Sequence, residues 1–195
     1  MTSETKSGGL SRNDRLIRST FLKMLEQNPI EQIRVGDLCR QCEINRSTFY
    51  RHYEDLPMLL DSIVKESHRA LFDEIICDVD RSESFEDVGY SYIMKVCEIT
   101  KKNRQLYHLL LFGKTPTCLR ELMCRSMYDL YFGAYSEKGR NTPGPEAVLH
   151  HQFLVYGIIG MWIFWVAENC RTPNEVVAEA VKAEIQSFYN TMGKL

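Results

Sequence analysis

Nothing in this sequence alternates apolar and polar residues with a two-residue period over a useful length, so no sheet is expected. Long apolar runs are scarce too. The most apolar, Phe153–Ala167 (FLVYGIIGMWIFWVA), is fifteen residues without a charge and holds two glycines. A bilayer span needs about 20 residues, so this run is expected to be a buried helix, not a membrane segment. The opening residues MTSETKSGGL are polar and lack the apolar stretch of a secretory signal. There is no phosphate-cradling glycine loop, nucleophile elbow or metalloprotease motif, so no enzyme and no cofactor are expected. Cys39-x-x-Cys42 has no second pair at zinc-site spacing, and His150-His151 has no matching acid or thiol nearby, so no metal is expected. The seven cysteines are an odd number, which fits reduced thiols in a cytoplasmic protein better than a disulfide framework. With 44% hydrophobic and 26% charged residues, global disorder is excluded as well.

What is there is helical punctuation. Ser11 with Asp14 three positions on resembles a capping box and opens a helix over about 12–28, with Leu16, Ile17, Thr20, Phe21, Met24 and Leu25 facing inward. Asn28-Pro29 ends it. Short helices are expected at about 35–42 and 45–53, the second capped by Asn45. A long helix follows from Leu56, capped by Asp55 with Pro57 in its first turn. Further helices are expected at about 85–102, 104–113, 116–137, 145–170 and 173–192. The fold class is therefore all-α, about nine helices. Residues 1–10 read as a flexible arm, 11–55 as a small helical head and 56–195 as a helical body. Charge follows the same division: residues 1–53 carry a net +3 and the remainder −5.

Function concentrates in Val35–Tyr53, VGDLCRQCEINRSTFYRHY, a helix, a turn at Cys42-Glu43-Ile44-Asn45 and a second helix. At 100° per residue, Arg46, Ser47, Tyr50 and Arg51 share one half of the second helix. Phe49 and Tyr53 lie on the other, with Thr48 and His52 on the flank. A basic, hydroxyl-bearing face of this kind suits a major groove, where arginine pairs with guanine and hydroxyls reach phosphates or base edges. Arg15, Arg18, Arg34, Arg40, Arg46 and Arg51 are the candidate phosphate neutralisers.

Leu16 to about Leu60 resembles the helix-turn-helix head of TetR/AcrR-type transcriptional regulators, and the segment Thr48–Tyr53 carries the likeness most specifically. The resemblance implies that Arg46 and Ser47 meet base edges or nearby phosphates. Thr48, Tyr50 and His52 would fix register on phosphate, while Phe49 and Tyr53 would be structural. Three positions depart from the family pattern: Glu43 stands where glycine is usual, Arg34 replaces the Thr or Ser that opens the second helix, and Leu56 replaces a phosphate-contacting lysine. Arg34 offers a phosphate contact in exchange for the lost cap. The DNA-binding set is thus Arg34, Arg46, Ser47, Thr48, Tyr50, Arg51 and His52.

The same resemblance implies a homodimeric repressor on a palindromic operator, paired through the last two helices and released by a small apolar or aromatic effector. The long helix from Leu56 would join head to body as the lever. Tyr90, Met94, Cys97, Tyr107, His108, Met127, Tyr131, Phe153, Tyr156 and Trp162 are the candidate effector lining, with Tyr92, Leu111, Phe112, Met123 and Tyr128 as further soft or aromatic positions. The alternative is an effector-free regulator or co-activator working through a protein partner, its body filled by its own aromatics. A helical enzyme or interaction protein with a degenerate head is the reading from another class.

Overall fold

The structure, a computed structural model, describes residues 11–78, 85–137 and 144–192. Side chains are described there except at 73–78, 85–89, 130–137, 189 and 191–192. The expected arm and most of the loop after the seventh helix lie outside these residues. Among the described residues there are nine α-helices and no strand: α1 (Arg12–Gln27), α2 (Val35–Gln41), α3 (Arg46–Tyr50), α4 (Leu56–Asp78), α5 (Phe85–Lys102), α6 (Arg104–Phe112), α7 (Leu119–Glu137), α8 (Pro145–Ala167) and α9 (Asn174–Met192). A single 3-10 turn, Ile30–Gln32, fills the connection after α1. Two compact units emerge. One runs to Ile63 and takes in Gly113–Thr115; the other comprises Val64–Phe112 and the chain from Pro116 on. The division therefore falls inside α4.

In the first unit, Ser11 Oγ accepts from Asp14 N at 3.1 Å and caps α1. The carboxylate of Asp14 does not close a capping box. It turns into the core, where Tyr53 Oη donates to Oδ1. Arg18 Nε lies 3.3 Å from Asp14 Oδ2 and 2.9 Å from Tyr53 Oη, and its Nη2 donates to Ser62 Oγ at 3.1 Å. Arg18 is thus a half-buried strut linking α1, the end of the α3 segment and α4, its guanidinium committed inside the unit and not held out for phosphate. Around it Ile17, Phe21, Leu38, Phe49 and Leu59 are fully buried. Each contributes about 1.5–3 kcal/mol by leaving water. Leu16, expected inward, is 40% exposed because the inward arc of α1 is centred on Ile17 and Phe21. Within this unit the Gly113–Thr115 turn is tied to the end of α1: Lys114 Nζ donates to Gln27 O, and Ile30 N donates to Thr115 Oγ1 at 2.9 Å. With Thr115 so engaged, α7 begins at Leu119, later than the Thr-Pro pair suggests.

In the second unit α5 packs along α9, and α8 packs against α6, α7 and α9. Two buried polar groups are paired across helices. Trp162 Nε1 donates to Thr100 Oγ1 at 3.1 Å, and Tyr107 Oη donates to Ser67 O at 3.1 Å. Left-handed Asn169 (φ 60) and Cys170 (φ 55) turn the chain after α8, so the helix stops short of residue 170. By length and composition α8 could cross a membrane, yet its buried residues, Val155, Ile158, Ile159, Trp162, Trp165 and Val166, face the other helices of the unit.

His151, also on α8, is buried beside the rings of Tyr128 and Phe188, and burial pushes its pKa down to about 4. The depressed folded-state value means that stability is complete above the unfolded value of about 6.5 and drains away as pH falls toward 4. Unfolding in urea at pH 5 is expected to show a loss of about 2 kcal/mol attributable to this group relative to pH 7.5. A His151→Phe variant should lack that component.

Candidate nucleic-acid interface

The turn between α2 and α3 is built from backbone. Cys42 N donates to Leu38 O at 2.9 Å, Glu43 N to Arg40 O at 3.2 Å and Ile44 N to Cys39 O at 3.0 Å. Together they form a Schellman closure with Glu43 in the left-handed position, φ 54. The geometry a glycine would give is therefore kept by a residue that bears a Cβ, at a cost of about 1 kcal/mol. Glu43→Gly is expected to raise the melting temperature by about 2–4 °C. It also removes a carboxylate from the turn that precedes the basic helix.

Asn45 leads into α3 with extended backbone (φ −75, ψ 149), and Thr48 N donates to its carbonyl at 2.9 Å. Its side chain makes no capping bond, contrary to expectation. The helix proper is shorter than 45–53, but Arg51 N to Ser47 O (3.1 Å) and Tyr53 N to Phe49 O (2.9 Å) continue the helical pattern to Tyr53. Phe49 is fully buried and Tyr53 nearly so, their ring centroids 5.9 Å apart, which fixes the phase of the segment. The opposite face is left to solvent: Arg46, Ser47 and Arg51 are exposed, Tyr50 is 56% exposed, and Thr48 and His52 are half-buried. Arg34 is exposed at the start of α2, where it makes no side-chain cap. The start of α2 meets the start of α3, because the Arg46 guanidinium lies against Gly36. Arg40 is exposed and pairs with Asp37 at 3.2 Å.

The body holds a cavity of about 30 Å³, about the room of one water molecule, lined by apolar and sulfur-bearing side chains that include Tyr92, Cys97, Met123, Met127 and Trp162. Burial, with Cys170 nearby, pushes the Cys97 thiol up to about 12. Five of the expected lining residues, Tyr92, Cys97, Met123, Met127 and Trp162, are brought together here. Others go elsewhere. Tyr107 is buried against Trp162 in an edge-to-face contact, and Met94 is half-buried off the cavity. The Lys182 ammonium sits over the Tyr90 ring, and exposed His108 packs on Phe112. Phe153 (83% exposed) and Tyr156 (61%) point out of the unit altogether. Tyr131 belongs to α7, but its side chain lies outside the described residues.

Residues 89–187 match the family model TetR_C_8, a transcriptional regulator C-terminal region. The chain belongs to the TetR family of transcriptional regulators. Solved structures carry the same fold at low sequence identity. The regulator FadR from Bacillus subtilis in complex with stearoyl-CoA is 15% identical with a TM-score of 0.63, over 87% of this chain and 95% of that one. A TetR regulator from Streptococcus agalactiae is 22% identical with a TM-score of 0.60, over 88% and 92%. The dihydroxyacetone kinase operon activator DhaS is 13% identical with a TM-score of 0.56, over 94% and 98%. No curated protein matches the sequence. As a TetR-family member the chain is a DNA-binding transcriptional regulator.

Two residues of the TetR-type head have roles that sequence pattern alone does not single out. Asp14 has the spacing of a capping acid, and nothing local signals that its carboxylate faces Tyr53, 39 positions on. Gly36 lies inside α2, near its start. A glycine inside a helix is itself a signal, since it weakens the helix unless space is needed.

Proposed function

We propose that this TetR-family chain is a homodimeric regulator that reads a palindromic operator through α3, with Arg46 and Ser47 at base edges or adjacent phosphates. Thr48, Tyr50, Arg51, His52 and Arg34 hold the register on phosphate. The observation that carries this is the face of α3 left to solvent by burial of Phe49 and Tyr53. The domain reading accompanies it: residues 11–55 as the DNA-binding head, 56–195 as the regulatory and pairing body.

Pairing is supported by α8. Leu149 (70% exposed), Phe153, Tyr156 and Phe164 (65%) recur at helical spacing along one side, so the helix is not covered all round by its own chain. An exposed apolar strip of this length marks an association surface, and a twofold axis is the simplest way to close it. With α9 alongside, two copies would form a four-helix seam. Phe153→Asp is expected to convert a dimer to a monomer in light scattering and to weaken operator binding at least tenfold, while circular dichroism stays helical. A parent protein that is monomeric at micromolar concentration overturns the dimer.

Repression relieved by a small apolar effector is the first reading of control. It requires the cavity to open about tenfold or more, since effector-sized pockets run to roughly 300–1,000 Å³. The narrow cavity favours a second reading: a body filled by its own Tyr92, Met123, Met127 and Trp162, controlled through a protein partner. Footprinting on DNA flanking its own gene, repeated with long-chain acyl and aromatic compounds, separates the two. Release by such a compound supports the first; unchanged protection with all of them supports the second.

A further inference from the structure

Gly36 is the second residue of α2, and it stands in a first turn that has no need of a glycine. Its bare backbone is occupied from outside. A Cβ added there would lie 2.6 Å from Arg46 Nη2, 3.3 Å from Cζ and 3.4 Å from Nε. The whole guanidinium end of Arg46 is therefore seated on α2, in space that any other residue would fill. Its charge is felt one turn further on, at the Cys39 thiol, where it opposes the upward push of burial. Arg46 is nonetheless exposed, and among the described residues its guanidinium has no hydrogen-bond or ion-pair partner. It is positioned by shape alone, with its donors uncommitted.

We propose that Gly36 is a specificity-determining residue: its missing side chain gives Arg46 a seat on α2, so that the guanidinium fork is held in one place before DNA arrives. The inference rests on reading the head as a DNA-binding element. An unseated arginine samples many rotamers and loses that freedom on binding, and it can satisfy its fork on more than one base edge or on phosphate. A seated one presents a fixed bidentate pair, the geometry that selects guanine. Gly36→Ala puts a methyl group where the guanidinium lies. The side-chain end must yield, because it is the flexible partner.

The test is selection from random-sequence DNA by the full chain, run for the parent, G36A, R46A and G36A/R46A, with melting temperatures measured alongside. The parent is expected to enrich one motif. G36A is expected to flatten a single base-pair column of it in each half-site, lowering affinity for the parent motif about tenfold without changing non-specific affinity. The same column should flatten in R46A, which leaves α2 untouched. In the R46A background, G36A should change affinity less than twofold. G36A should also melt about 2–4 °C higher, since alanine is the better helix former. A merely structural glycine would show the opposite sign, a lower melting temperature. A parent motif left unchanged by G36A, or G36A and R46A effects that simply multiply, overturns the inference while the DNA reading stands. A parent protein that enriches no sequence overturns the DNA reading and this inference with it.

Discussion

Arg46→Ala combined with Tyr50→Ala is expected to lower affinity for the operator by about a hundredfold or more in fluorescence anisotropy. A bidentate arginine–guanine pair carries about 1–3 kcal/mol of discrimination, and a hydroxyl to a charged phosphate about 1.5–3 kcal/mol. Their loss together, about 2.5–6 kcal/mol, amounts to roughly two to four tenfold steps at about 1.4 kcal/mol each. Folding should be little affected. Both side chains are exposed, and the main intramolecular contact surrendered is the edge-to-face packing of Tyr50 on Phe49, at 5.5 Å between centroids. That contact is worth about 1 kcal/mol, so the melting temperature should fall by no more than about 4 °C. Unchanged operator affinity in a folded double variant would remove α3 from the interface and send the search to another surface.

The second large effect concerns stability. Asp14→Ala removes the acceptor of Tyr53 Oη and the anion beside Arg18, both inside the first unit. The guanidinium keeps its bonds to Tyr53 Oη and Ser62 Oγ but loses its countercharge where it is only 15% exposed. Breaking a buried pair from one side costs about 3–5 kcal/mol, so a drop of about 3 kcal/mol, or roughly 6–12 °C, is expected in thermal unfolding. Asp14→Asn, which retains an acceptor, should lose less than half of that. Tyr53→Phe should lose about 1 kcal/mol, the ordinary worth of one hydrogen bond. An Asp14→Ala protein as stable as its parent would mean that the network contributes shape but no net energy.

Much of this was legible in the residues, for reasons that differ along the chain. Helix limits followed where a single local signal decides them: Ser11 before α1, and Asp55, whose Oδ1 accepts from Met58 N at 2.7 Å, before α4. They failed where a hydroxyl found a partner far away in sequence, as Thr115 did with Ile30 N. The phase of α3 was readable because Phe49 and Tyr53 are separated by one turn. In α8 it was not. A helix apolar on every side has no periodic signal to say which aromatics turn inward, so in sequence Phe153 and Tyr156 are pocket candidates on the same grounds as Trp162. Arg18 shows the converse limit. A cation in a basic segment reads as surface until the buried acid that neutralises it is seen.

Gly157 and Gly160 lie on the open side of α8, with nothing beyond the helix's own backbone and their chain neighbours within 4 Å of the place a Cβ would occupy. Between Tyr156 and Phe164 the helix is therefore a shallow saddle of bare main chain. Two copies laid across each other there could bring their axes to the short end of the usual 8–10 Å range, close enough for Cα–H groups to touch opposing carbonyls. Sliding either copy by a turn would lift the saddle onto an aromatic ring and push the axes apart. The greasy strip would thus fix where two molecules cross as well as make them adhere.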